Sequence, residues 1–240
     1  MYKLILVRHG QSEWNLENKF TGWYDSKLTQ KGIEEARYAG ELIKALNVNF
    51  EYAFTSFQQR AIDTLTEINK KLNNSIFNIV KAWELNERHY GALQGLNKEE
   101  IKKKHGEEQV KLWRRSYDIA PPPMDRKNPN HAIHQKIYQD INPDLIPNSE
   151  SLKDTLKRVI PYYENKILPV LKKNKKLIIS AHGNSLRSLC KKIFNISDQS
   201  IVKLEIPTGN PIFINFDEEI KLTEYKYLDQ KRAQEITINQ

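Results

Sequence analysis

Two short, branched apolar runs in this chain stop at the same dipeptide. Lys3–Val7 leads into Arg8-His9-Gly10, and Lys176–Ala181 leads into His182-Gly183. A third run, Tyr52–Thr55, is followed closely by Arg60. Two histidines and two arginines brought to one place suit a tetrahedral phosphate. Guanidinium groups form paired, charge-assisted hydrogen bonds to phosphate oxygens. Backbone N–H groups at a helix start, as at Gly183, add an anion site. Imidazole can attack phosphorus and hold the group covalently, which divides one hard transfer into two easier ones. Its other ring nitrogen must then be fixed by a hydrogen bond, often to a main-chain carbonyl. Positive neighbours lower a histidine's pKa and keep a lone pair free for attack.

Strands and helices must bring these residues together. The three apolar runs read as buried strands, and Ile76–Val80, Ile212–Phe216 and Leu222–Tyr227 as further ones. Helical spacing predicts helices over Thr29–Leu46, with Thr29 as cap, over Gln58–Leu72, and through Leu186, Leu189, Cys190 and Ile193. A long helix is expected from about Ser149–Ser151, punctuated at Pro161 and ended by Pro169. Residues 82–116 read as a loop, Leu85–Gly95, and two short charged helices; residues 118–148 hold six of the ten prolines. The expected fold class is α/β: three layers, a mostly parallel sheet flanked by helices, in a single domain over 1–240. Residues 82–148 would be an excursion walling the site. Sites in such sheets form beyond the carboxyl ends of the strands, where both His-Gly pairs lie.

Composition bounds the alternatives. A 39% hydrophobic fraction over 240 residues supports a real core and argues against global disorder. No apolar run approaches the roughly 20 residues that span a membrane, and Leu4–Val7 is too short for a signal-peptide core. The expected setting is the cytoplasm, consistent with the single cysteine, Cys190. A formal charge of +8 favours anionic partners without choosing among them. Trp14, Trp23, Trp83 and Trp113 beside basic residues are a combination found in nucleic-acid binders, but loop and core packing is the expected role, and no nucleic acid or membrane is expected as partner. Cys190 has no nucleophile context. The sequence has no obvious metal-ligand cluster and no Gly-rich P-loop.

The longer motifs carry a resemblance. Arg8-His9-Gly10-Gln11-Ser12-Glu13-Trp14-Asn15, Phe20-Thr21-Gly22-Trp23-Tyr24-Asp25, Leu28-Thr29, Lys31-Gly32, Thr55-Ser56 and Arg60-Ala61 come first. The block Leu85–Lys98, Trp113-Arg114-Arg115, Glu150-Ser151-Leu152, Ala181–Arg187 and Pro207-Thr208-Gly209 follow in order. Together they resemble the cofactor-dependent phosphoglycerate mutases of the histidine phosphatase superfamily over nearly the whole chain. That resemblance implies the phosphoglycerate mutase-like fold and interconversion of 3-phosphoglycerate and 2-phosphoglycerate, in glycolysis and gluconeogenesis, primed by 2,3-bisphosphoglycerate without a metal. It implies that His9 becomes phosphorylated and that Glu87 exchanges the proton of the substrate hydroxyl. Arg8, Arg60 and His182 would clamp the transferring group, with Asn15, Gly183 and Asn184 adding hydrogen bonds. Thr21, Gly22, Tyr90, Lys98, Arg114 and Arg115 would hold the substrate's carboxylate and other phosphate. Relatives are often dimers or tetramers, so a homodimer or homotetramer is expected.

Two positions depart from the family. Gln11 stands where Glu is common. Asp229 stands where Gly is common, ahead of a shorter tail; residues 228–240 are expected to form a mobile lid. His89 is expected to be structural. The rival reading on the same fold is a phosphatase releasing phosphate to water. The Glu87–Lys98 block and the Arg114-Arg115 pair argue against it. A non-catalytic phosphoprotein or nucleic-acid binder is the rival from another class, disfavoured by the full set of histidines, arginines and Glu87.

Overall fold

The computed structural model describes residues 1–236. Its strands are β1 (Tyr2–Arg8), β2 (Tyr52–Thr55), β3 (Asn78–Lys81), β4 (Lys176–Ala181), β5 (Ile212–Phe216) and β6 (Leu222–Tyr227). They form one sheet in the order β3-β2-β4-β1-β5-β6. β3, β2, β4 and β1 are mutually parallel, and β5 and β6 add an antiparallel hairpin beside β1. The α-helices among the described residues are α1 (Glu13–Leu16), α2 (Gln30–Lys44), α3 (Gln59–Lys71), α4 (Lys98–His105), α5 (Glu107–Arg115), α6 (Leu152–Tyr162), α7 (Leu168–Asn174), α8 (Gly183–Ile193) and α9 (Asp198–Ile201).

Side chains on a strand alternate between faces, and β1 uses both. Ile5 and Val7 pack with Ile178, Ala53 and Phe213 against Ala39 and Ile43 of α2 and Leu65 and Ile68 of α3. Leu4 and Leu6 pack with Leu177 and Ile179 against Val159 of α6, Leu171 of α7, and Leu186 and Leu189 of α8. All but Phe213, at 5%, are within 1% of full burial. At about 1.5–3 kcal/mol for each buried aliphatic side chain, these two faces dominate the folding energy. The outcome is three layers, helix–sheet–helix, as the alternation of elements predicts.

Two expected boundaries move. Ile76 lies outside β3 because its backbone N–H and carbonyl are both taken by the Asn69 side chain, at 2.9 Å each. Pro169 does not end its helix. A π turn at Tyr163–Ile167 joins α6 to α7, which continues to Asn174 with the proline near its start. The wider turn accommodates a ring that lacks an N–H and crowds the carbonyl one turn back. The four-residue helices α1 and α9 had not been anticipated.

Residues 82–148 are ordered around two small clusters of their own. Phe20, Leu93, Ile101 and Val110 pack beneath α4 and α5. Trp23, Ala132, Tyr138, Ile141 and Ile146 hold the proline-rich stretch. The Trp23 ring lies 4.9 Å from Tyr138 and Trp14 stacks on Tyr24 at 3.7 Å, so both tryptophans pack within loops. The C-terminal segment is described as far as Ile236, which is buried in the same cluster as α8. Arg232 Nη1 donates to Thr208 O at 2.9 Å, and Asn210 Nδ2 to Asp229 O at 3.0 Å. The last residues of the expected lid, 237–240, lie outside the described residues.

Candidate active site

β1 and β4 are hydrogen-bonded neighbours with Arg8 opposite Ala181, so both His-Gly pairs leave the sheet at the same level. The His9 and His182 ring centroids are 5.0 Å apart. Gly10 permits the exit of the first strand: a Cβ there would lie 2.1 Å from the Gly32 carbonyl oxygen at the start of α2. Arg60 arrives from the first turn of α3, after β2.

His9 is buried, and its Nδ1 bonds to its neighbour's carbonyl, Gly10 O, at 2.7 Å. Since that carbonyl only accepts, Nδ1 carries the hydrogen and Nε2 keeps its lone pair. Arg60 Nε points at that lone pair from 3.3 Å. Burial, then the charges of Arg60 and Arg8, push the His9 pKa well below 6.5, against the pull of the Gly10 bond. His182 is likewise buried and held neutral, by burial first and then by Arg60, His9 and Arg8. Its Nε2 pairs with Ser56 Oγ at 2.7 Å. Arg8 Nε is buried without a partner among the described residues. An anionic oxygen is the chemistry such a donor fits.

Arg60 cannot swing away. Nη1 donates to Tyr24 O at 2.8 Å, and Nη2 to Gly22 O at 2.9 Å and Gln58 Oε1 at 3.2 Å. Arg8 Nη1 donates to Ile206 O at 2.8 Å. These bonds preorganise the charge, so little reorganisation is needed as a reaction proceeds.

Glu87 lies in the same crevice and is 8% exposed. Its Oε1 accepts three bonds: from Arg88 N at 2.8 Å, Asn184 N at 3.1 Å and Asn184 Nδ2 at 2.8 Å. The first turn of α8, expected to bind an external anion, thus already holds this carboxylate through Asn184 N. The loop bearing Glu87 is stapled from behind. Arg158 donates to the carbonyls of Glu84, Asn86 and Glu87 and pairs with Glu150 at 2.7 Å, both side chains being buried. Glu150 in turn accepts from His89 N at 2.8 Å. His89 is buried behind the loop with its pKa pushed down by burial to about 3, and its Nδ1 accepts from Gly91 N. It belongs to the scaffold, as expected.

The crevice gathers all of the expected residues other than His182: Arg8, His9, Asn15, Thr21, Gly22, Arg60, Glu87, Tyr90, Lys98, Arg114, Arg115, Gly183 and Asn184 line it, while His182 lies just behind, against His9. Asn15 stands at the third position of α1, and its Oδ1 is taken by Ser12 N, so its NH2 remains for the crevice. Lys98 begins α4, and burial with nearby Arg114, Arg8 and Arg115 lowers its pKa to about 8. Arg88 is buried behind Tyr90, its guanidinium 4.7 Å from the ring centroid. Arg115 pairs with Glu205. Among the described residues, no group of three or more His, Cys, Asp or Glu is placed to share a metal, and no helix is long and apolar enough to cross a membrane. Cys190 is buried, its thiol pushed up to about 12.

Several lining residues had no assigned role in the sequence: Lys19, Phe20, Arg187 and the segment Leu204–Ile206. Arg187 had a visible signal, since it follows Asn184 by three residues on one helix face. Leu204–Ile206 had none, because only the tertiary fold folds it over Arg8. None of the residues Leu228–Ile236 lines the crevice.

Comparison with known proteins agrees with this geometry. The profile of the histidine phosphatase superfamily (branch 1) matches residues 4–223. A protein of Pelagibacter ubique named 2,3-bisphosphoglycerate-dependent phosphoglycerate mutase is 52% identical over 99% of this chain and 100% of its own. A Lactiplantibacillus plantarum protein named 2,3-bisphosphoglycerate-dependent phosphoglycerate mutase 2 is 50% identical over 92% of this chain and 96% of its own. Among solved structures, a mycobacterial glucosyl-3-phosphoglycerate phosphatase superposes with a TM-score of 0.71 at 18% identity, covering 95% of this chain and 97% of that one. An alpha-ribazole-5'-P phosphatase of Escherichia coli, described as putative in its structure, gives 0.69 at 18% identity over 93% and 94%. At such identities the likeness concerns the fold. With the profile spanning nearly all of β1 to β6, and two relatives at half identity over almost their full lengths, the chain belongs to branch 1 of the histidine phosphatase superfamily.

Proposed function

We propose that this chain is a 2,3-bisphosphoglycerate-dependent phosphoglycerate mutase, interconverting 3-phosphoglycerate and 2-phosphoglycerate through a phosphohistidine at His9. The observation that carries the reading is the crevice lining. Beyond Arg8 and Arg60 beside His9, it holds Lys19, Lys98, Arg114, Arg115 and Arg187, with a buried carboxylate, Glu87, among them. One phosphate needs only the first pair. A ligand with a phosphate, a carboxylate and a hydroxyl to deprotonate uses the rest. The names of the two half-identical relatives point the same way.

In the mechanism, His9 Nε2 attacks phosphorus in line. The bond from phosphorus to the sugar-acid oxygen breaks, and Glu87 Oε2, the oxygen not saturated by N–H groups, protonates that oxygen. Arg8 and Arg60, with His182 behind His9, clamp the non-bridging oxygens, where charge spreads in a loose transition state. In the return step the other hydroxyl gives its proton to Glu87 and attacks the phosphorus, and His9 Nε2 leaves neutral. Asn15, Gly183 and Asn184 steady the group; Thr21, Gly22, Tyr90, Lys98, Arg114 and Arg115 take the carboxylate and second phosphate. The unpartnered donor Arg8 Nε fits 2,3-bisphosphoglycerate, which supplies the phosphoryl group that loads His9. Side-chain cations supply the positive charge, so the scheme is metal-free. The expected setting is the cytoplasm and the expected assembly a homodimer or homotetramer.

The test is transfer of ³²P from labelled bisphosphoglycerate. The product should be an acid-labile, base-stable phosphoprotein that discharges to phosphoglycerate, and His9→Ala should not label. Label on serine, or discharge only to water, would overturn the proposal.

A further inference from the structure

Glu87 has two oxygens, and the structure treats them differently. Oε1 takes three N–H bonds, two of them from Asn184. The bond from Asn184 Nδ2 exists only while the side-chain amide presents its NH2 to Glu87. Turned over, the amide would set its own oxygen against a carboxylate oxygen. The turned state is blocked from the other side: Arg187 Nη1 donates to Asn184 Oδ1 at 2.9 Å. A guanidinium has donors only, so it can pair with the amide oxygen and never with the NH2. Arg187 is itself fixed, since Nη2 donates to Ile201 O at 2.6 Å and the side chain is 3% exposed. The chain of bonds therefore runs Ile201 O, Arg187, Asn184, Glu87, with one permitted direction throughout.

We propose that Arg187 is a positioning residue: it locks the Asn184 amide in one orientation and thereby makes Glu87 Oε2 the oxygen that exchanges the proton. The proposal rests on the reading of Glu87 as the proton carrier. A carboxylate with one oxygen committed to three donors transfers its proton from a single place, and the in-line geometry requires a single place. Without the lock the amide oxygen faces Oε1 for part of the time, and the carboxylate loses its fixed aim.

Other charges bear on Glu87 and must be separated from this effect. Arg8 of β1 and Glu87 Oε2 both border Gly183. Arg60 of α3 and Arg88 and Tyr90 of its own loop are close enough to interact. Arg158 of α6 reaches only the Glu87 carbonyl. Arg187 is itself a nearby cation, so its removal also acts through charge alone.

The experiment separates turnover from binding in the mutase assay. Arg187→Met should lower kcat by about tenfold or more while changing KM by less than about threefold, because the proton carrier is misaimed and the ligand's own cations remain. Arg187→Lys keeps only donors for the Asn184 oxygen and should recover most of the lost kcat. Arg187→Gln, whose amide can pair with either end of the Asn184 side chain, should lose kcat as Arg187→Met does, and decides the matter if Arg187→Met does not fold. Arg115→Met, which removes a cation of the same crevice that bonds to neither Asn184 nor Glu87, should act mainly on KM. In a Glu87→Gln background, Arg187→Met should add little further loss of kcat. Unchanged kcat in Arg187→Gln, or a full further loss in the Glu87→Gln background, would overturn the lock. Near-normal kcat in Glu87→Gln alone would instead remove Glu87 from the proton transfer, the reading on which the lock rests.

Discussion

Lowering the pH from 7.5 to 5.5 is expected to cost the fold about 1 kcal/mol through His89 alone, with His9 and His182 acting in the same direction. His9, His89 and His182 are buried, and burial is the first cause pushing each pKa down, that of His89 to about 3. A folded-state value below the unfolded value of about 6.5 means that the unfolded chain takes up protons the folded chain refuses. The stability carried by these neutral rings is fully present above the unfolded value and is lost as pH falls toward the folded ones. At pH 5.5 the His89 ring costs about 1 kcal/mol, and at pH 7.5 almost nothing. His9 and His182 add to that loss, against the roughly 5–15 kcal/mol that hold a domain. His131, lowered by burial, acts in the same direction. Asp25 and Glu84, raised by burial, act oppositely, but in the carboxylate range, so the window is kept above pH 5.5. The assay is urea unfolding at constant ionic strength across the window, repeated with His89→Gln. The variant should lose about 1 kcal/mol of the change across the window. Flat stability, or an unchanged slope in His89→Gln, would refute the reasoning.

Other outcomes follow from the site. Arg60→Ala should slow phosphorylation of His9 by about 10²–10³-fold, the usual cost of one preorganised donor, read as single-turnover labelling. Glu87→Gln should slow mutase turnover by about 10²–10⁴-fold, and near-normal turnover would move the proton role elsewhere. Activity should survive EDTA, while vanadate, which can adopt the five-coordinate geometry of a transferring phosphoryl group, should inhibit strongly; activity lost on chelation and restored by Mg²⁺ would count against the metal-free scheme. Deleting residues after Tyr227 removes the Arg232–Thr208 bond and buried Ile236, and should lower the unfolding midpoint. If the tail also acts as a lid, phospho-His9 should hydrolyse faster in that variant, and an unchanged phosphoenzyme lifetime would dismiss that role.

The central strands were legible because they are short apolar runs, and β2, β4 and β5 have the expected bounds for that reason; β6, Leu-Thr-Glu-Tyr-Lys-Tyr, was legible from its alternating β-branched and aromatic residues at the sheet edge. The adjacency of β1 and β4 was conditional in the sequence, since nothing local states which strands pair. Pro169 misled because a proline marks a missing donor, and a π turn can absorb one without ending the helix. Ile76 misled because an apolar residue beside a strand can bond to a side chain instead of the ladder. Around the crevice, residue types with direct chemistry were visible as motifs. Most groups that hold them were not: Arg158 reaches the Glu84, Asn86 and Glu87 carbonyls from more than 70 residues away, and Arg8 meets Ile206 O from the other end of the chain.

The sheet order also sets a timetable. β1 lies between β4 and β5, both from the last third of the chain. During synthesis the first strand emerges early and waits, with Leu4–Val7 unpaired, until nearly everything else has been made. Contacts this distant in sequence close late and slowly. His9 meets His182 only at that final closure, so a nascent or truncated chain lacking β4 carries a phosphate-seeking motif with no crevice around it. Activity therefore reports the complete fold, while the waiting strand is the segment most exposed to mispairing and most in need of protection before the chain is released.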